Sequence, residues 1–182
     1  EGTDPRRTSY VFTNCTHCGP RFTILKQLPY DRAHTSMAFF EMCVDCAAEY
    51  DDPSDRRFHA QPVACANCGP QIWFEANGAK VVGDAIATAV QHLKAGHILA
   101  IKGLGGFHLC CDAQNAQAVG LLRRRKMRPT KPLAVMADLD RASDIVHMTP
   151  SEASALKNPA GPIILLRKRG KTLPDNLAPH ID

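Results

Sequence analysis

The sequence has no apolar run long enough to cross a membrane, and its first residues do not form a secretory signal. A membrane-spanning helix needs about 18 or more consecutive apolar residues, and no stretch of the 182 residues approaches that length. We therefore expect a cytoplasmic protein without a membrane segment. With 45% hydrophobic and 22% charged residues, the composition is typical of a globular rather than a disordered protein.

Two common nucleotide-binding motifs are also absent. The sequence contains no G-x-x-x-x-G-K-[ST], and its glycine-rich stretch, residues 102–107, has His108 where the dinucleotide fingerprint has its last glycine. Backbone N–H groups of a tight loop beside Lys102 could still approach a phosphate. A β-turn with a surface lysine fits this pattern nearly as well.

Cysteine, in contrast, occurs in a distinctive pattern. Six of the eight cysteines lie in C-x-x-C pairs, which fits metal binding in a reducing compartment better than a secreted disulfide framework. Cys43-x-x-Cys46 and Cys65-x-x-Cys68 are separated by eighteen residues, a spacing expected of a four-thiolate zinc site. We predict that these four cysteines bind one structural Zn²⁺. Two disulfides or two redox dithiols are the alternative.

The remaining C-x-x-C pair belongs to a repeat with a period of fifty residues. The pattern C-x-x-C-G-P occurs at residues 15–20 and again at 65–70, and Arg6-Arg7 is repeated as Arg56-Arg57. In this register, Cys15 and Cys18 are the second half of a first zinc module, whose first half would lie upstream of residue 1.

A rival pairing would join Cys15 and Cys18 to the pair at residues 43–46 and leave Cys65 and Cys68 without partners. We prefer the repeat-based pairing and predict three segments. Modules this small bury little surface, so the metal is expected to supply much of their folding energy. The predicted segments are the second half of a first C4 finger at 1–28, a complete second C4 finger at 29–80, and an α/β domain at 84–182.

The run Arg56-Arg57-Phe58-His59 has two interpretations. Its charge could bind an anion, but such a run more often packs on the knuckle or pairs with Asp51 and Asp52, which we favour. Because four thiolates already complete a zinc site, His17 and His59 are expected to face solvent.

From residue 84 onward, helical and strand patterns alternate. Asp84 is expected to cap a helix that ends at Gly96, and Thr149 and Glu152 to form a capping box. A short apolar run after Gly96 is typical of a strand buried on both faces. This alternation predicts helices packed on a mixed sheet. The predicted strands are 98–101, 108–111, 133–136 and 162–166, and further helices are 116–126 and 149–156.

Residues 123–131 carry six cations within nine positions. The arginines at 123–125 are expected to point mostly outward from their helix. Two prolines would hold Lys126, Arg128 and Lys131 in a fixed arrangement, which suits the phosphates of a nucleotide triphosphate. Nucleic-acid binding and a solvated helix end are equally compatible with the charge alone.

Four stretches of the sequence closely resemble the HypF carbamoyltransferases: Phe12–Thr23, Asp55–Pro62, Ala100–Leu109 and Arg125–Met136. The resemblance covers nearly the whole chain. HypF proteins contain an acylphosphatase domain, two four-cysteine zinc fingers, a YrdC-like domain and a C-terminal carbamoyl-transfer domain. The resemblance therefore implies half of the first finger, the whole second finger and an incomplete YrdC-like α/β domain with a twisted mixed sheet.

The resemblance also implies a chemistry. HypF proteins form carbamoyl-adenylate from carbamoyl phosphate and ATP and pass the carbamoyl group to the C-terminal cysteine of HypE, in [NiFe]-hydrogenase maturation. Zn²⁺ and ATP with Mg²⁺ are the implied ligands. Lys126 and Arg128 match the Lys-x-Arg pair that YrdC-like proteins place around nucleotide phosphates, and Lys131 and Lys102 are weaker candidates. No residue is assigned as catalytic, and the Ser and Asn that complete that site have no counterpart before Asp182, so this piece alone is expected to be inactive.

The charge distribution keeps two other functions open. Residues 84–182 hold 14 Lys and Arg against 8 Asp and Glu, whereas residues 1–83 hold 8 against 10. A basic helix beside zinc knuckles also fits an RNA- or DNA-binding module. A non-catalytic scaffold, in which the fingers only space other domains, is the third possibility.

Overall fold

The computed structural model describes residues 4–17 and 19–180. The chain divides into two compact units, one ending at Trp73 and the other beginning at Phe74. None of the helices in these two ranges is both long and apolar enough to span a membrane. The overall class is α/β, as predicted.

The first unit contains little regular secondary structure. Its α-helix, α1, spans Val44–Asp51, and three 3₁₀ turns precede it. The segment that begins at Phe22 is a 3₁₀ turn followed by a single bridge between Leu25 and Thr35. The 3₁₀ turns span Phe22–Ile24, Arg32–His34 and Ser36–Phe39.

Two small clusters of buried side chains form the core of this unit. One contains Ile24 and Met37, and the other contains Val63 together with the buried thiols of Cys46 and Cys65. Clusters of this size bury little apolar surface relative to the length of chain they must order. Two of the three buried residues in the second cluster are cysteines, so their thiols are part of the core of this unit.

The fifty-residue repeat of the sequence is also a repeat of the backbone. Ser9 and His59 both have positive φ, 61° and 50°, a conformation that is uncommon outside glycine. Three backbone hydrogen bonds recur at the same offset. In the first repeat, the N–H groups of Tyr10, Thr13 and Gly19 donate to the carbonyls of Arg7 (3.1 Å), Tyr10 (3.1 Å) and Cys15 (2.8 Å). In the second repeat, the N–H groups of Ala60, Val63 and Gly69 donate to the carbonyls of Arg57 (2.9 Å), Ala60 (2.8 Å) and Cys65 (2.9 Å).

The described residues of the second unit contain two antiparallel hairpins, four α-helices and a 3₁₀ turn at Asp175–Leu177. Strands β1 (Phe74–Ala76) and β2 (Ala79–Val81) are joined by Asn77-Gly78, whose positive φ values suit a two-residue hairpin turn. Strands β3 (Leu99–Gly103) and β4 (Gly106–Cys110) are joined by Leu104-Gly105. The elements are β1 Phe74–Ala76, β2 Ala79–Val81, α2 Ala85–Lys94, β3 Leu99–Gly103, β4 Gly106–Cys110, α3 Ala116–Arg125, α4 Leu139–Ile145 and α5 Pro150–Leu156.

The predicted helix ends are confirmed. The Asp84 carboxylate accepts hydrogen bonds from the backbone N–H groups of Ile86 (2.8 Å) and Ala87 (3.0 Å) at the start of α2. Gly96, with φ of 83°, follows the end of this helix. The capping box of Thr149 and Glu152 is present at the start of α5.

Two predicted strands are not formed in the described chain. Residues 133–136 and 162–166 pair with no neighbouring strand there, and the pairing nearest to them is an isolated bridge between Val146 and Lys168. Apolar composition favours a strand, but a ladder also needs a partner backbone. Met136 and Leu165 are accordingly 99% and 86% exposed. The expectation that the strand before the glycine loop is buried on both faces is likewise wrong, since Ile101 on β3 is 49% exposed.

Candidate metal centre and basic loop

Four cysteines from two separate segments meet in the first unit. Cys43 precedes α1, and Cys46 lies in its first turn. Cys65 and Cys68 lie in the tight turn that ends at Gly69. The four Sγ atoms lie within 4.8 Å of one another.

The spacing of these sulfur atoms fits a tetrahedral zinc site. The Sγ atom of Cys65 lies 3.7 Å from that of Cys43 and 3.8 Å from that of Cys68. A tetrahedron with Zn–S bonds of about 2.3 Å has S–S edges of about 3.8 Å. A disulfide would bring two sulfurs to about 2.05 Å, and all four thiols are free. Four thiolates are also the donor set of structural zinc sites, so the residues present fit this metal.

The rival cysteine pairing is not the arrangement found. Cys43 and Cys46 meet the pair from the second knuckle, and Cys15 is not a member of this cluster. Cys18 lies outside the described residues. His17 and His59 are both exposed to solvent, as expected.

The thiols of the cluster differ in acidity because their surroundings differ. Burial raises the pKa of Cys46, and hydrogen bonds with Cys68 and Cys43 raise it further. Burial also opposes ionisation of Cys68, but hydrogen bonds with the backbone of Cys43 and Cys65 outweigh it and lower its pKa to about 7. Cys68 therefore presents a negative sulfur to a metal more readily than Cys46 does.

An arginine pair from the first repeat contacts the cluster. The side chain of Arg7 is 2% exposed, and its Nη2 donates to the Cys46 Sγ over 3.2 Å and to Glu49 over 2.5 Å. Arg6 also pairs with Glu49, and both arginines pair with Asp4. Burial alone would raise the pKa of Glu49, but the hydrogen bonds and charge of Arg7 lower it below its usual range. The carboxylates are thus held ionised beside the buried guanidinium.

Another buried arginine holds the segment that leads to Cys65. Arg32 donates to the carbonyl oxygens of Gln61 (2.7 Å), Val63 (2.8 Å) and Phe40 (2.7 Å). Sequence reasoning assigned no role to Arg32 and used Arg6-Arg7 only to mark the repeat. For Arg7, the sequence did contain a signal of a role near the cysteines: the second arginine of each pair stands eight positions before a C-x-x-C pair, Arg7 before Cys15 and Arg57 before Cys65.

Gly69 allows the second knuckle to pack closely. A Cβ atom at this position would lie 2.1 Å from the Tyr10 Oη and 2.6 Å from the Ala64 Cβ. Tyr10 itself donates a hydrogen bond to the Pro70 carbonyl over 3.0 Å. A side chain at residue 69 would therefore displace the tyrosine that covers the knuckle.

Gly69→Ala is expected to destabilise the first unit by about 2 kcal/mol, because overpacking a filled site costs roughly 1–3 kcal/mol. Chemical denaturation in the presence of saturating zinc measures this change. Gly105→Ala is the matched control, since a Cβ at Gly105 meets nothing within 4 Å. Equal unfolding midpoints for the two variants would contradict the packing argument.

The basic-aromatic run at residues 56–59 lines a cleft of about 270 Å³ in the first unit. Arg57 Nη1 lies 3.9 Å from the Glu49 carboxylate on α1. Asp52 instead accepts hydrogen bonds from Ser54. The run packs beside the knuckle, which is one of the two arrangements we favoured, and the Glu49 carboxylate lies within ion-pair distance of Arg57.

In the second unit, the cation-rich segment is shaped by one of its own arginines. Arg123 is 7% exposed, so the expectation that it points outward is wrong. It donates to the carbonyl oxygens of Arg128 (2.8 Å), Lys131 (3.0 Å) and Leu177 (2.7 Å), and also to that of Asn176. Its position four residues after the fully buried Val119 places both on the inner face of α3.

The four predicted phosphate-binding residues have different surroundings. Lys126 and Lys131 are exposed on the loop after α3. Arg128 is half-buried and donates to the Pro132 carbonyl over 2.7 Å. Lys102 lies on β3, with its Nζ 5.2 Å from the Phe107 ring centre. The loop therefore exposes the ammonium groups of Lys126 and Lys131, and hydrogen bonds from Arg123 hold its backbone.

Comparison with known proteins gives the same two parts in the same order. A family model described as the HypF finger matches residues 1–25 and 42–75. The Sua5/YciO/YrdC model, described as telomere recombination, matches residues 91–182. The chain therefore combines a four-cysteine finger of the HypF type with an α/β unit of the Sua5/YciO/YrdC family.

Individual relatives narrow this class. The chain is 62% identical over 174 residues to the carbamoyltransferase HypF of Rhodobacter capsulatus, covering 96% of this chain and 23% of the relative. It is 33% identical over 100 residues to a threonylcarbamoyl-AMP synthase of Bos taurus, covering 53% of this chain and 36% of that protein. A crystal structure of full-length HypF in the phosphate- and nucleotide-bound form superposes with a TM-score of 0.87 at 47% identity, over 98% of this chain and 24% of that one. The chain belongs to the HypF carbamoyltransferase family, and it spans about a quarter of the length of its HypF relatives.

Proposed function

We propose that this chain supplies the second zinc finger and part of the adenylating domain of a carbamoyltransferase that forms carbamoyl-adenylate from carbamoyl phosphate and ATP. The carbamoyl group then passes to the C-terminal cysteine of HypE during [NiFe]-hydrogenase maturation, in the cytoplasm. The observation that carries this proposal is the basic loop after α3, on a chain whose relatives include a threonylcarbamoyl-AMP synthase and a nucleotide-bound HypF. The chain alone is expected to be inactive.

In this proposal, Cys43, Cys46, Cys65 and Cys68 hold a Zn²⁺ whose role is structural. The metal supplies folding energy to a unit with small apolar clusters. Cys15 and Cys18 belong to the preceding module, as the repeat predicts. The segment boundaries 1–28, 29–80 and 84–182 accordingly remain our proposal for the modules.

The basic loop would act on the phosphates of ATP, which Mg²⁺ would accompany. In this proposal water first cleaves carbamoyl phosphate to carbamate and inorganic phosphate. A carbamate oxygen then forms a bond to the α-phosphorus of ATP, and the bond from that phosphorus to pyrophosphate breaks. Lys126 and Lys131 extend from a backbone that Arg123 holds at three points within 128–131. Cations fixed before the reaction stabilise developing phosphate charge without reorganisation. Arg128 would contribute its remaining N–H groups, and Lys102 is the weaker candidate.

In an intact enzyme that carries this sequence, Lys126→Ala is expected to reduce carbamoyl-phosphate-dependent ATP–pyrophosphate exchange by about tenfold or more, as loss of a charged hydrogen-bond donor implies. The measurement is the exchange rate at saturating and limiting ATP. Lys157→Ala, another exposed lysine at a helix end, is the matched control. Unchanged exchange would refute the role of Lys126, and salt-sensitive RNA binding without any response to nucleotide would instead favour the nucleic-acid-binding alternative.

A further inference from the structure

The cysteine cluster includes a contact that is not a metal ligand. Arg7 Nη2 lies 3.2 Å from the Cys46 Sγ, inside the unit and shielded from solvent. Arg6 approaches the same sulfur only to 3.9 Å, and its side chain is 25% exposed. The contact of Arg7 is therefore the closer and the better shielded of the two.

The guanidinium of Arg7 is held in place from several sides. Its Nε donates to the Ala64 carbonyl over 2.9 Å, next to Cys65 in the chain. Its Nη groups pair with Glu49, one turn after Cys46 on α1, and with Asp4. One arginine thus connects the segments that carry the first and second C-x-x-C pairs of the cluster.

The donor comes from outside the finger to which the sulfur belongs. By the fifty-residue repeat, Arg6-Arg7 stand before Cys15 as Arg56-Arg57 stand before Cys65. Arg7 therefore belongs to the preceding module, and it stands thirty-nine positions before Cys46 in the sequence. A cluster of four thiolates around Zn²⁺ carries net negative charge, and a buried cation beside it offsets that charge.

We propose that Arg7 is a positioning residue of the metal centre: it donates a hydrogen bond to the Cys46 thiolate and slows the loss of Zn²⁺ from the neighbouring finger. The inference rests on the proposed zinc site. It assigns to the first module a function beyond binding its own metal, which is to stabilise the metal of the second.

The test compares metal release from the 182-residue chain and from Arg7→Met, Arg7→Lys and Arg21→Met. Lysine keeps the charge but cannot bond the sulfur, Glu49 and the Ala64 carbonyl together. Arg21 is the control, because it is exposed and donates to backbone carbonyls of residues 16, 17 and 19. The readouts are the rate of zinc transfer to a chromogenic chelator and the thiolate-to-metal charge-transfer band of the Co²⁺-substituted protein.

We expect zinc transfer to be about 10- to 100-fold faster in Arg7→Met, the range found when partners of metal ligands are removed. The Co²⁺ band should shift to lower energy, since a thiolate without its donor is more easily oxidised. The zinc-transfer rate and the Co²⁺ band energy of Arg7→Lys should lie between those of Arg7→Met and of the wild type. If the methionine variant does not fold, the lysine variant tests the role of Arg7. A lowered unfolding temperature with an unchanged Co²⁺ band and transfer rate would overturn the proposal, because Arg7 would then serve only the fold. Absence of bound metal in the wild type would instead overturn the zinc site itself.

Discussion

Cys46→Ser is expected to reduce the zinc bound to the 182-residue chain from one ion per molecule to none. Cys46 is fully buried at the first turn of α1, so a serine there cannot be replaced by a ligand from solvent. The sulfur is also the acceptor of the Arg7 hydrogen bond. Its removal leaves a buried guanidinium beside three thiols, a donor set short of the four that a structural zinc site requires.

Native mass spectrometry of the folded chain measures this stoichiometry directly. Metal contributes about 10 kcal/mol or more to the folding of small zinc modules, so the first unit should also lose its protection from proteolysis. Cys110→Ser is the matched control, because Cys110 is a free, partly buried cysteine on β4. One zinc ion retained by Cys46→Ser would contradict the assignment of the cluster.

The double variant Cys15→Ser/Cys18→Ser tests the repeat-based pairing. It should retain one zinc ion, since the four clustered sulfurs remain within 4.8 Å of one another. Loss of all zinc in this variant would mean that the pair at residues 15–18 belongs to the site that is actually filled.

Arg123→Ala is expected to destabilise the second unit by about 3 kcal/mol or more. The guanidinium is buried and satisfies carbonyl oxygens on two segments, the loop at 128–131 and the turn at 176–177. A hydrogen bond to a charged group contributes about 1.5–3 kcal/mol, and removal of its donor leaves the carbonyls unsatisfied. Several such bonds are lost together in this variant.

Urea denaturation followed by far-ultraviolet circular dichroism measures the effect. Arg124→Ala and Arg125→Ala are neighbouring controls on the exposed side of α3, and they should change stability by less than about 0.5 kcal/mol, as is usual for surface substitutions. The same midpoint for all three variants would show that the contacts of Arg123 contribute little. Arg123→Ala should also loosen the loop after α3, because the backbone that carries Lys126 and Lys131 would lose the hydrogen bonds from Arg123.

Local patterns in the sequence predicted local structure well. Asp84, Thr149 and the glycine after α2 act within a few residues of their own positions, and each forms the expected cap. The pairing of the C-x-x-C knuckles also followed from spacing, because the distance between ligands in the chain limits which sulfurs can meet. These interactions depend on short segments whose conformation the sequence largely determines.

Non-local interactions could not be read in the same way. The contact between Arg7 and Cys46 depends on how two loops pack, and a pair of arginines is usually a surface feature. The apolar runs at 133–136 and 162–166 have strand composition, but no described strand lies beside them. The burial of Arg123 could have been predicted from the sequence, since this residue falls on the same helical face as Val119 and Leu122.

The hydrogen bond of Arg7 also bears on what can be moved between proteins as a finger. A graft that began at the first ligand, Cys43, would transfer all four sulfurs and α1 but leave behind the cation beside Cys46. The smallest transplantable piece of this chain therefore begins at Asp4, whose carboxylate pairs with that arginine, and includes the half of the preceding repeat that carries it. A protein engineer should therefore transfer the four-cysteine segment together with the upstream residues that carry Asp4 and Arg7.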